Sequence, residues 1–145
     1  MEKVISTLTE LQAEATRFLD TLMPNQGGAT LVTLTGELGA GKTAFTKAVA
    51  SALGVAEVVT SPTFVLEKIY LLPPGKPFKR LIHIDAYRLE SGGDLAPLGF
   101  DEFMEDTDNL ILLEWPEKVA DELLVPTMRI RITLNADGSR TFIYG

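Results

Sequence analysis

The sequence predicts an α/β fold with a mixed parallel and antiparallel sheet that is flanked by helices. Short β-branched and apolar runs alternate with stretches of helical periodicity. A glycine-rich turn joins one strand directly to one helix, and two later pairs of apolar runs are separated by turn residues. Of the 145 residues, 46% are hydrophobic, so we expect one domain that spans residues 1–145 and buries a sizeable core.

The first predicted element is a helix over residues 7–23, because apolar side chains recur there at helical spacing. Thr7 or Thr9 could cap its N-terminus, and Glu10 lies three residues after Thr7, as in a capping box. The turn residues of "PNQGG" (24–28) end this helix.

A strand and a helix follow on either side of the glycine-rich turn. The segment "TLVTLT" (30–35) is short and β-branched, which is typical of a strand. Residues 42–54 have a helical pattern that closes on Gly54, a natural glycine for the position after a helix C-terminus. A strand followed by a crossover helix favours parallel strand pairing in this half of the chain.

The second half of the chain alternates further strands with short helices. The apolar run at 109–115 is continuous, which is typical of a buried strand. The other predicted elements are a hairpin of strands at 61–72 and 79–87 around "PPGKP" (73–77), short helices within 92–106, a helix at 116–123, and a closing hairpin at 127–135 and 139–145 around "ADG".

Composition excludes several classes of site. The chain has no cysteine, which rules out disulfides and cysteine-based zinc sites and fits a reduced, cytoplasmic setting. No apolar run approaches the length of about 18 residues that a membrane-spanning helix requires. The first residues lack the apolar core and cleavage site of a signal peptide, so we expect a cytoplasmic protein without a membrane partner.

The charge is unevenly distributed along the chain. The formal net charge is −7, and residues 91–122 hold ten acidic side chains against one lysine, a local charge of −9. This acidic segment is either a solvated face or a docking surface for a basic partner. Residues 68–88 carry five basic side chains against one acid. Because nucleic-acid affinity depends largely on phosphate contacts, we expect the chain alone to bind tRNA weakly.

The turn "GELGAGKT" (36–43) matches the phosphate-binding pattern G-x-x-x-x-G-K-[ST], and it lies between a strand and a helix as that pattern requires. Glycines let several backbone N–H groups face one concavity, and the helix N-terminus adds partial positive charge. The lysine would reach the outer phosphates of a nucleotide, and the threonine hydroxyl would ligate Mg²⁺. The predicted phosphate-binding residues are Gly36, Glu37, Leu38, Gly39, Ala40, Gly41, Lys42 and Thr43.

Two acidic residues each end an apolar run that is predicted to be a buried strand. Asp85 closes "LIHID" and Glu114 closes "LILLE". A carboxylate at such a position is costly unless it has a role at the carboxyl edge of the sheet, where ligands bind in open α/β sheets. Either residue could be the acid near Mg²⁺. For His83, the single histidine, we favour a structural role.

Four segments follow the glycine-rich loop in order, namely "SPTF" (61–64), "HIDAYRL" (83–89), "LGFDEF" (98–103) and "LLEWPEK" (112–118). Together with the loop they resemble the TsaE family (older name YjeE), small bacterial ATPases needed for the threonylcarbamoyl-adenosine modification of tRNA. The resemblance runs from about residue 28 to about residue 119. The loop alone is common to many families, whereas the order of the later segments is far more specific.

The resemblance implies a P-loop NTPase-like domain that uses Mg²⁺ and ATP. Lys42 and Thr43 would serve the phosphates and Mg²⁺, with Thr43 and Glu114 on the metal side. Asp85 would be a Walker-B-like acid or would organise the attacking water. Catalysis would therefore depend on Lys42, Asp85, Glu114 and a further residue, Thr63, which would sense the γ-phosphate.

The resemblance also implies that Trp115 packs beside the nucleotide and that the ATPase works with TsaB and TsaD. TsaD would catalyse transfer of the threonylcarbamoyl group, so tRNA would be met only indirectly, within the complex. Arg88 is the nearest candidate for an arginine finger in the chain, and intrinsic turnover would be slow until a partner completes the site.

Two other functions are compatible with a phosphate-binding loop. A small-molecule kinase would need a lid and an acceptor pocket, and no arginine-rich lid segment is present. A nucleotide-gated binding module would bind ATP tightly with only incidental hydrolysis. A GTPase is disfavoured because the chain lacks an N-K-x-D segment to read guanine.

Overall fold

A computed structural model describes residues 1–56, 67–123 and 125–145, and it confirms the mixed α/β fold. Within these ranges, the strands are β1 (Glu2–Ile5), β2 (Thr30–Thr35), β3 (Glu67–Leu71), β4 (Arg80–Asp85), β5 (Asn109–Glu114), β6 (Met128–Leu134) and β7 (Arg140–Tyr144). The α-helices are α1 (Leu8–Asp20), α2 (Lys42–Ala52) and α3 (Phe100–Met104), and 3-10 helices occupy Gly92–Leu98 and Pro116–Val119.

The strands form one sheet in the order β1-β7-β6-β2-β5-β4-β3. The four central strands β6, β2, β5 and β4 are parallel, and the outer pairs β1–β7, β7–β6 and β4–β3 are antiparallel. Because β2, β4 and β5 are parallel neighbours, their carboxyl ends meet at one edge of the sheet. The glycine-rich turn follows β2, and the two predicted strand-end acids are the last residues of β4 and β5.

Apolar side chains cover both faces of the central strands. On one face α1 and α2 pack together, with the rings of Phe18 and Phe45 5.6 Å apart, against Leu81 and Leu112 of the sheet. On the other face Ile84 and its neighbours pack against α3 and the 3-10 helix Gly92–Leu98. Side chains alternate between faces along a strand, so each strand-end acid is assigned to the face of the residue two positions before it.

Several predicted elements are confirmed with small shifts at their ends. Strand β2 and the start of α2 lie where the sequence predicts them, and Gly54 has the left-handed φ of +85° expected just after α2. The first helix ends at Asp20 rather than at residue 23. The predicted strand 61–72 is described only over β3, and its first six residues lie outside the described ranges.

Two predictions are incomplete or wrong. Strand β1 is not predicted from the sequence, because its four residues are too few to show alternation and its pairing with β7 is a tertiary contact. The predicted helix 116–123 is only a short 3-10 helix, Pro116–Val119. Packing explains the difference, because the Asp121 carboxylate accepts a hydrogen bond from the Gly92 N–H at 2.7 Å. No helix of the described ranges is long and apolar enough to cross a membrane.

Candidate functional site

The glycine-rich turn leaves β2 at Thr35 and enters α2 at Lys42. Two of its glycines have left-handed backbone angles, with φ of +81° at Gly39 and +114° at Gly41, which side chains other than glycine rarely adopt. Gly41 caps α2 without a side-chain hydrogen bond. The first N–H groups of α2 therefore have no side-chain cap and remain available to an anion.

Lys42 is only 5% exposed although it is charged. Its ammonium donates hydrogen bonds to the carbonyl oxygens of Gly36 and Glu37, the latter at 2.9 Å. Burial lowers the pKa of Lys42, and the nearby carboxylates of Glu114 and Asp85 partly offset this effect. The loop thus holds a buried cation against its own backbone, beside two acids from neighbouring strands.

The two strand-end acids lie side by side. Asp85 and Glu114 are direct partners in the parallel register of β4 and β5, on the face that α2 covers. Glu114 is 3% exposed, and its Oε2 lies 2.5 Å from Nε2 of His83, which is fully buried. The sequence favours a structural role for His83 but does not predict this contact, because the two residues are 31 positions apart.

Asp85 is half-buried, and its Oδ1 accepts a hydrogen bond from the Tyr87 N–H at 3.0 Å. Burial raises the pKa of the Asp85 carboxyl, the Tyr87 hydrogen bond opposes this shift, and the charge of Glu114 adds to it. Two carboxylates in register at one edge thus have different surroundings, since one is bonded to a histidine and the other to a backbone N–H.

Trp115 follows β5 directly and adopts φ +59° and ψ +52°, the one positive φ of a non-glycine residue in the described ranges. The left-handed conformation costs about 1–2 kcal/mol for such a residue. Its ring centroid lies 4.3 Å from the Lys42 ammonium and 5.0 Å from the Tyr87 ring. The ring therefore contacts the loop lysine, and its place beside a nucleotide stays a prediction.

Two clefts flank the loop. The larger, of about 440 Å³, is lined by loop residues Gly36 to Leu38 together with Trp115, Arg131 and Leu134. The smaller, of about 190 Å³, lies between the start of α1 and the other side of the loop, and it includes Thr7, Gly41, Ala44 and Arg140. Both clefts are lined in part by loop residues, so there is space on each side of the loop.

The arginines of these clefts are not predicted from the sequence. Arg140 donates from Nε to the Ala40 carbonyl at 2.8 Å, across 100 residues of sequence, and Arg131 is exposed beside the loop. Neither belongs to a recognisable motif, and only the position of β6 next to β2, with β7 on the far side of β6, could have indicated them. Arg88, the candidate arginine finger, is exposed after β4.

The remaining predicted residues lie on the loop or outside the described ranges. Thr43 is half-buried in the first turn of α2. The loop residues Glu37, Leu38 and Gly39 are exposed, whereas Ala40 is buried. Thr63 and the "SPTF" segment lie outside the described ranges, so the role of Thr63 stays a prediction.

Known proteins resemble this chain over most of its length. The family model "Threonylcarbamoyl adenosine biosynthesis protein TsaE" matches residues 5–142. Proteins named "tRNA threonylcarbamoyladenosine biosynthesis protein TsaE" include one from Streptomyces coelicolor, 44% identical over 70% of this chain and 67% of the relative. Another, from Treponema pallidum, is 42% identical over 76% of this chain and 77% of the relative. The crystal structure of YdiB from Bacillus subtilis has a TM-score of 0.77 and 28% identity, covering 99% of this chain and 83% of that one. This chain therefore belongs to the TsaE family.

Proposed function

We propose that this chain is a cytoplasmic ATPase that binds Mg²⁺ and ATP at residues 36–43 and supports the threonylcarbamoyl modification of adenosine in tRNA together with TsaB and TsaD. The proposal is supported mainly by one observation: the buried Lys42 ammonium lies near the acids Asp85 and Glu114, beside a glycine-rich turn. The family's place in tRNA threonylcarbamoyladenosine biosynthesis supports the biological role.

The loop supplies positive potential from its backbone and from one side chain. The uncapped N-terminus of α2 and the backbone of residues 36–41 would surround phosphate oxygens. Lys42 would hold the outer phosphates as a point charge, exchanging part of its contact with the Trp115 ring for a phosphate. Binding and orientation of the nucleotide therefore depend on the loop.

The residues present suit a magnesium ion. Glu114 uses Oε2 to accept from His83, and its second oxygen has no hydrogen bond from the described residues. Thr43 offers a hydroxyl in the first turn of α2. Mg²⁺ is usually bound through one or two protein ligands and completes its shell with phosphate and water, and Glu114 and Thr43 would meet this requirement. When bound, Mg²⁺ would neutralise charge that develops on the phosphates.

Hydrolysis would proceed by in-line attack of water on the γ-phosphate. Asp85 is the better placed of the two acids to accept a hydrogen bond from this water, since it is more exposed than Glu114 and lies at the same edge of the sheet. Lys42 would stabilise the charge of the transferring group. A partner protein would complete the site, and intrinsic turnover would be slow without it.

The direct test is ATP turnover by the chain alone and with TsaB, TsaD and tRNA, with and without Mg²⁺. We expect Mg²⁺-dependent release of phosphate that the partners stimulate. Lys42→Ala should abolish turnover or weaken nucleotide binding while the chain stays folded. Tight ATP binding without turnover in any complex would instead indicate a nucleotide-gated binding module, and phosphate on an added acceptor would indicate a kinase.

A matched pair of isosteric variants tests the two acids. Glu114→Gln should lower Mg²⁺-dependent turnover by at least about tenfold, the scale at which groups around a metal site act, while leaving nucleotide binding nearly unchanged. Asp85→Asn should lower turnover without changing the Mg²⁺ concentration that half-saturates the reaction. If Asp85→Asn is damaging and Glu114→Gln is silent, the assignment of the metal-side acid is reversed.

A further inference from the structure

The contact between His83 and Glu114 lies below the carboxyl edge of the sheet. His83 pairs with Leu112 in the parallel register of β4 and β5, whereas Glu114 pairs with Asp85. The His83–Glu114 contact therefore runs diagonally between β4 and β5. His83 lies two residues further from the carboxyl edge of the sheet than Asp85, the register partner of Glu114. It is fully enclosed, with both residues less than 4% exposed.

The buried neighbours of His83 on its own face of the sheet include apolar side chains. Leu81 of the same strand and Leu112, its partner on β5, are fully buried, whereas its partner on β3 is the exposed Lys68. Burying a polar ring in such a place is costly unless it is hydrogen-bonded. Nδ1 has no hydrogen-bond partner in the described ranges, so the Glu114 carboxylate is the polar contact that holds the ring.

The donor in this contact follows from the chemistry of the acceptor. An ionised carboxylate only accepts hydrogen bonds, so the proton of the pair lies on Nε2 of His83. The bond occupies Oε2 of Glu114 and restricts rotation of the carboxylate about its side chain. The second oxygen is left for the loop side, where the charge of Glu114 acts on Lys42.

We propose that His83 is a positioning residue for Glu114: its Nε2–H holds one carboxylate oxygen so that the other faces the phosphate loop in a single orientation. The inference rests on the proposed function, since Glu114 is given a role in Mg²⁺-dependent hydrolysis there. His83 acts through Glu114 and does not itself reach the nucleotide. Hydrogen-bond partners behind metal-site groups typically affect affinity or activity by about 10–100-fold.

The experiment compares two substitutions of equal polarity that place their amide differently. His83→Gln carries an N–H donor about where Nε2 lies, and His83→Asn carries its amide one bond short of Glu114. We expect His83→Gln to retain most of the wild-type kcat and His83→Asn to lose about tenfold or more. We expect the half-saturating Mg²⁺ concentration to rise only in His83→Asn, while nucleotide affinity measured without Mg²⁺ stays within about twofold, because the loop amides are untouched.

A double-mutant cycle separates positioning from general packing. If His83 acts through Glu114, His83→Asn should produce no further loss in a Glu114→Gln background. Leu81→Ala is the matched control, since Leu81 is buried on the same face two residues before His83 and its register partner on β5 is Leu110, four residues before Glu114. It should lower thermal stability but leave kcat unchanged in the folded protein.

The outcomes distinguish this inference from the proposed function. Absence of turnover by the wild-type chain in every complex would overturn the proposed function and the positioning role with it. Normal wild-type turnover would uphold the function, and then equal kcat for His83→Gln and His83→Asn would overturn the positioning role alone. Additive losses in the double-mutant cycle would also overturn it.

Discussion

At the scale of single residues, Lys42 of the loop contacts Trp115, which directly follows β5. The ammonium lies 4.3 Å from the indole centroid, and the ring is also 5.0 Å from that of Tyr87. A bound phosphate would compete with the ring for the lysine charge. The indole therefore lies where nucleotide binding should change its surroundings.

We predict that the fluorescence of Trp115 changes when ATP or ADP binds. Trp115 is the single tryptophan of the chain, so the signal needs no assignment. Titration with nucleotide at equilibrium measures it, and Lys42→Ala should reduce the change because the cation over the ring is gone. A flat titration at a nucleotide concentration that calorimetry shows to be saturating would indicate a packing residue that does not respond to ligand.

A second residue-scale prediction concerns Glu67, the first residue of β3. Burial raises the pKa of its carboxyl from 4.5 to about 7, and its Oε2 has no hydrogen-bond partner in the described ranges. The folded protein therefore favours the protonated form, and its stability should fall as the pH rises from about 4.5 to about 7. Glu67→Gln should remove this loss.

Urea denaturation at pH 4.5 and pH 8 checks the sign. Glu67→Gln should raise the midpoint relative to wild type at pH 8 and have little effect at pH 4.5. Glu2→Gln is the control, because Glu2 is exposed on β1 and its substitution should shift neither midpoint. If Glu67→Gln shifted the urea midpoint equally at both pH values, this would contradict the prediction that burial of the ionised Glu67 carboxylate lowers stability at the higher pH.

At the scale of elements, the start of α1 shows which of two threonines caps the helix. Thr7 Oγ1 accepts a hydrogen bond from the Glu10 N–H at 3.1 Å. The Glu10 carboxylate accepts in turn from the Ser6 N–H at 3.0 Å, one residue earlier than in a standard capping box. The sequence left Thr7 and Thr9 as alternatives, and the structure selects Thr7.

Replacing this cap should destabilise the protein measurably. Thr7→Ala should lower the free energy of unfolding by about 1 kcal/mol, because the Glu10 N–H loses its acceptor. Thr7→Ser keeps a hydroxyl at this position and should retain most of the stabilisation that the cap provides. Thr9 lies inside α1 and is exposed, so Thr9→Ala is the matched control and should change stability little. A larger loss from Thr9→Ala than from Thr7→Ala in denaturant titrations would contradict the capping role.

Elements with strong local signals were predictable, and those that depend on packing were not. Strand β2 and the N-terminus of α2 follow from a β-branched run and a glycine turn, which act within a few residues. The segment after Pro116 has a helical pattern, yet the contact of Asp121 with Gly92 directs the chain elsewhere. Strand β1 is likewise defined by its partner β7 rather than by its own four residues.

At the scale of the whole molecule, the basic residues around β4 contact the acidic segment 91–122. The guanidinium of Arg80 pairs with Asp106 and donates to Asn109 Oδ1 at 2.7 Å. Lys79 lies 3.5 Å from Asp108, but its side chain remains 74% exposed. Part of the basic charge is therefore paired with acidic side chains of the same chain. Arg80 is for this reason less suited to binding a partner than its charge suggests.

We predict that the exposed lysines, rather than Arg80, contribute to assembly. Lys76 is exposed in the turn between β3 and β4, and Lys79 is exposed just before β4. Lys76→Glu with Lys79→Glu should weaken ATP-dependent binding to a TsaB–TsaD complex without changing affinity for ATP, and added salt should weaken the wild-type complex as well. Binding assays at several salt concentrations measure this. Arg80→Glu is the contrasting variant and should chiefly lower thermal stability, because it places a carboxylate beside Asp106.

The same assays test the weak affinity for tRNA that the net charge of −7 predicts. The isolated chain should bind tRNA weakly, and the affinity should fall further as salt is added. Tight, salt-resistant tRNA binding by the isolated chain would contradict this picture. So would assembly that the double lysine reversal leaves unchanged.

The glycine-rich loop, the strand-end acids and the family could be predicted from the sequence alone, because these depend on residue types at short, fixed spacings. Only the tertiary structure decided that Asp85 and Glu114 are register partners, that His83 bonds to Glu114, and that Arg140 contacts Ala40. These contacts join residues about 30 to 100 positions apart, where no periodicity links one to the other. The order and register of the strands bring them together, and that order is set by packing across the whole sheet.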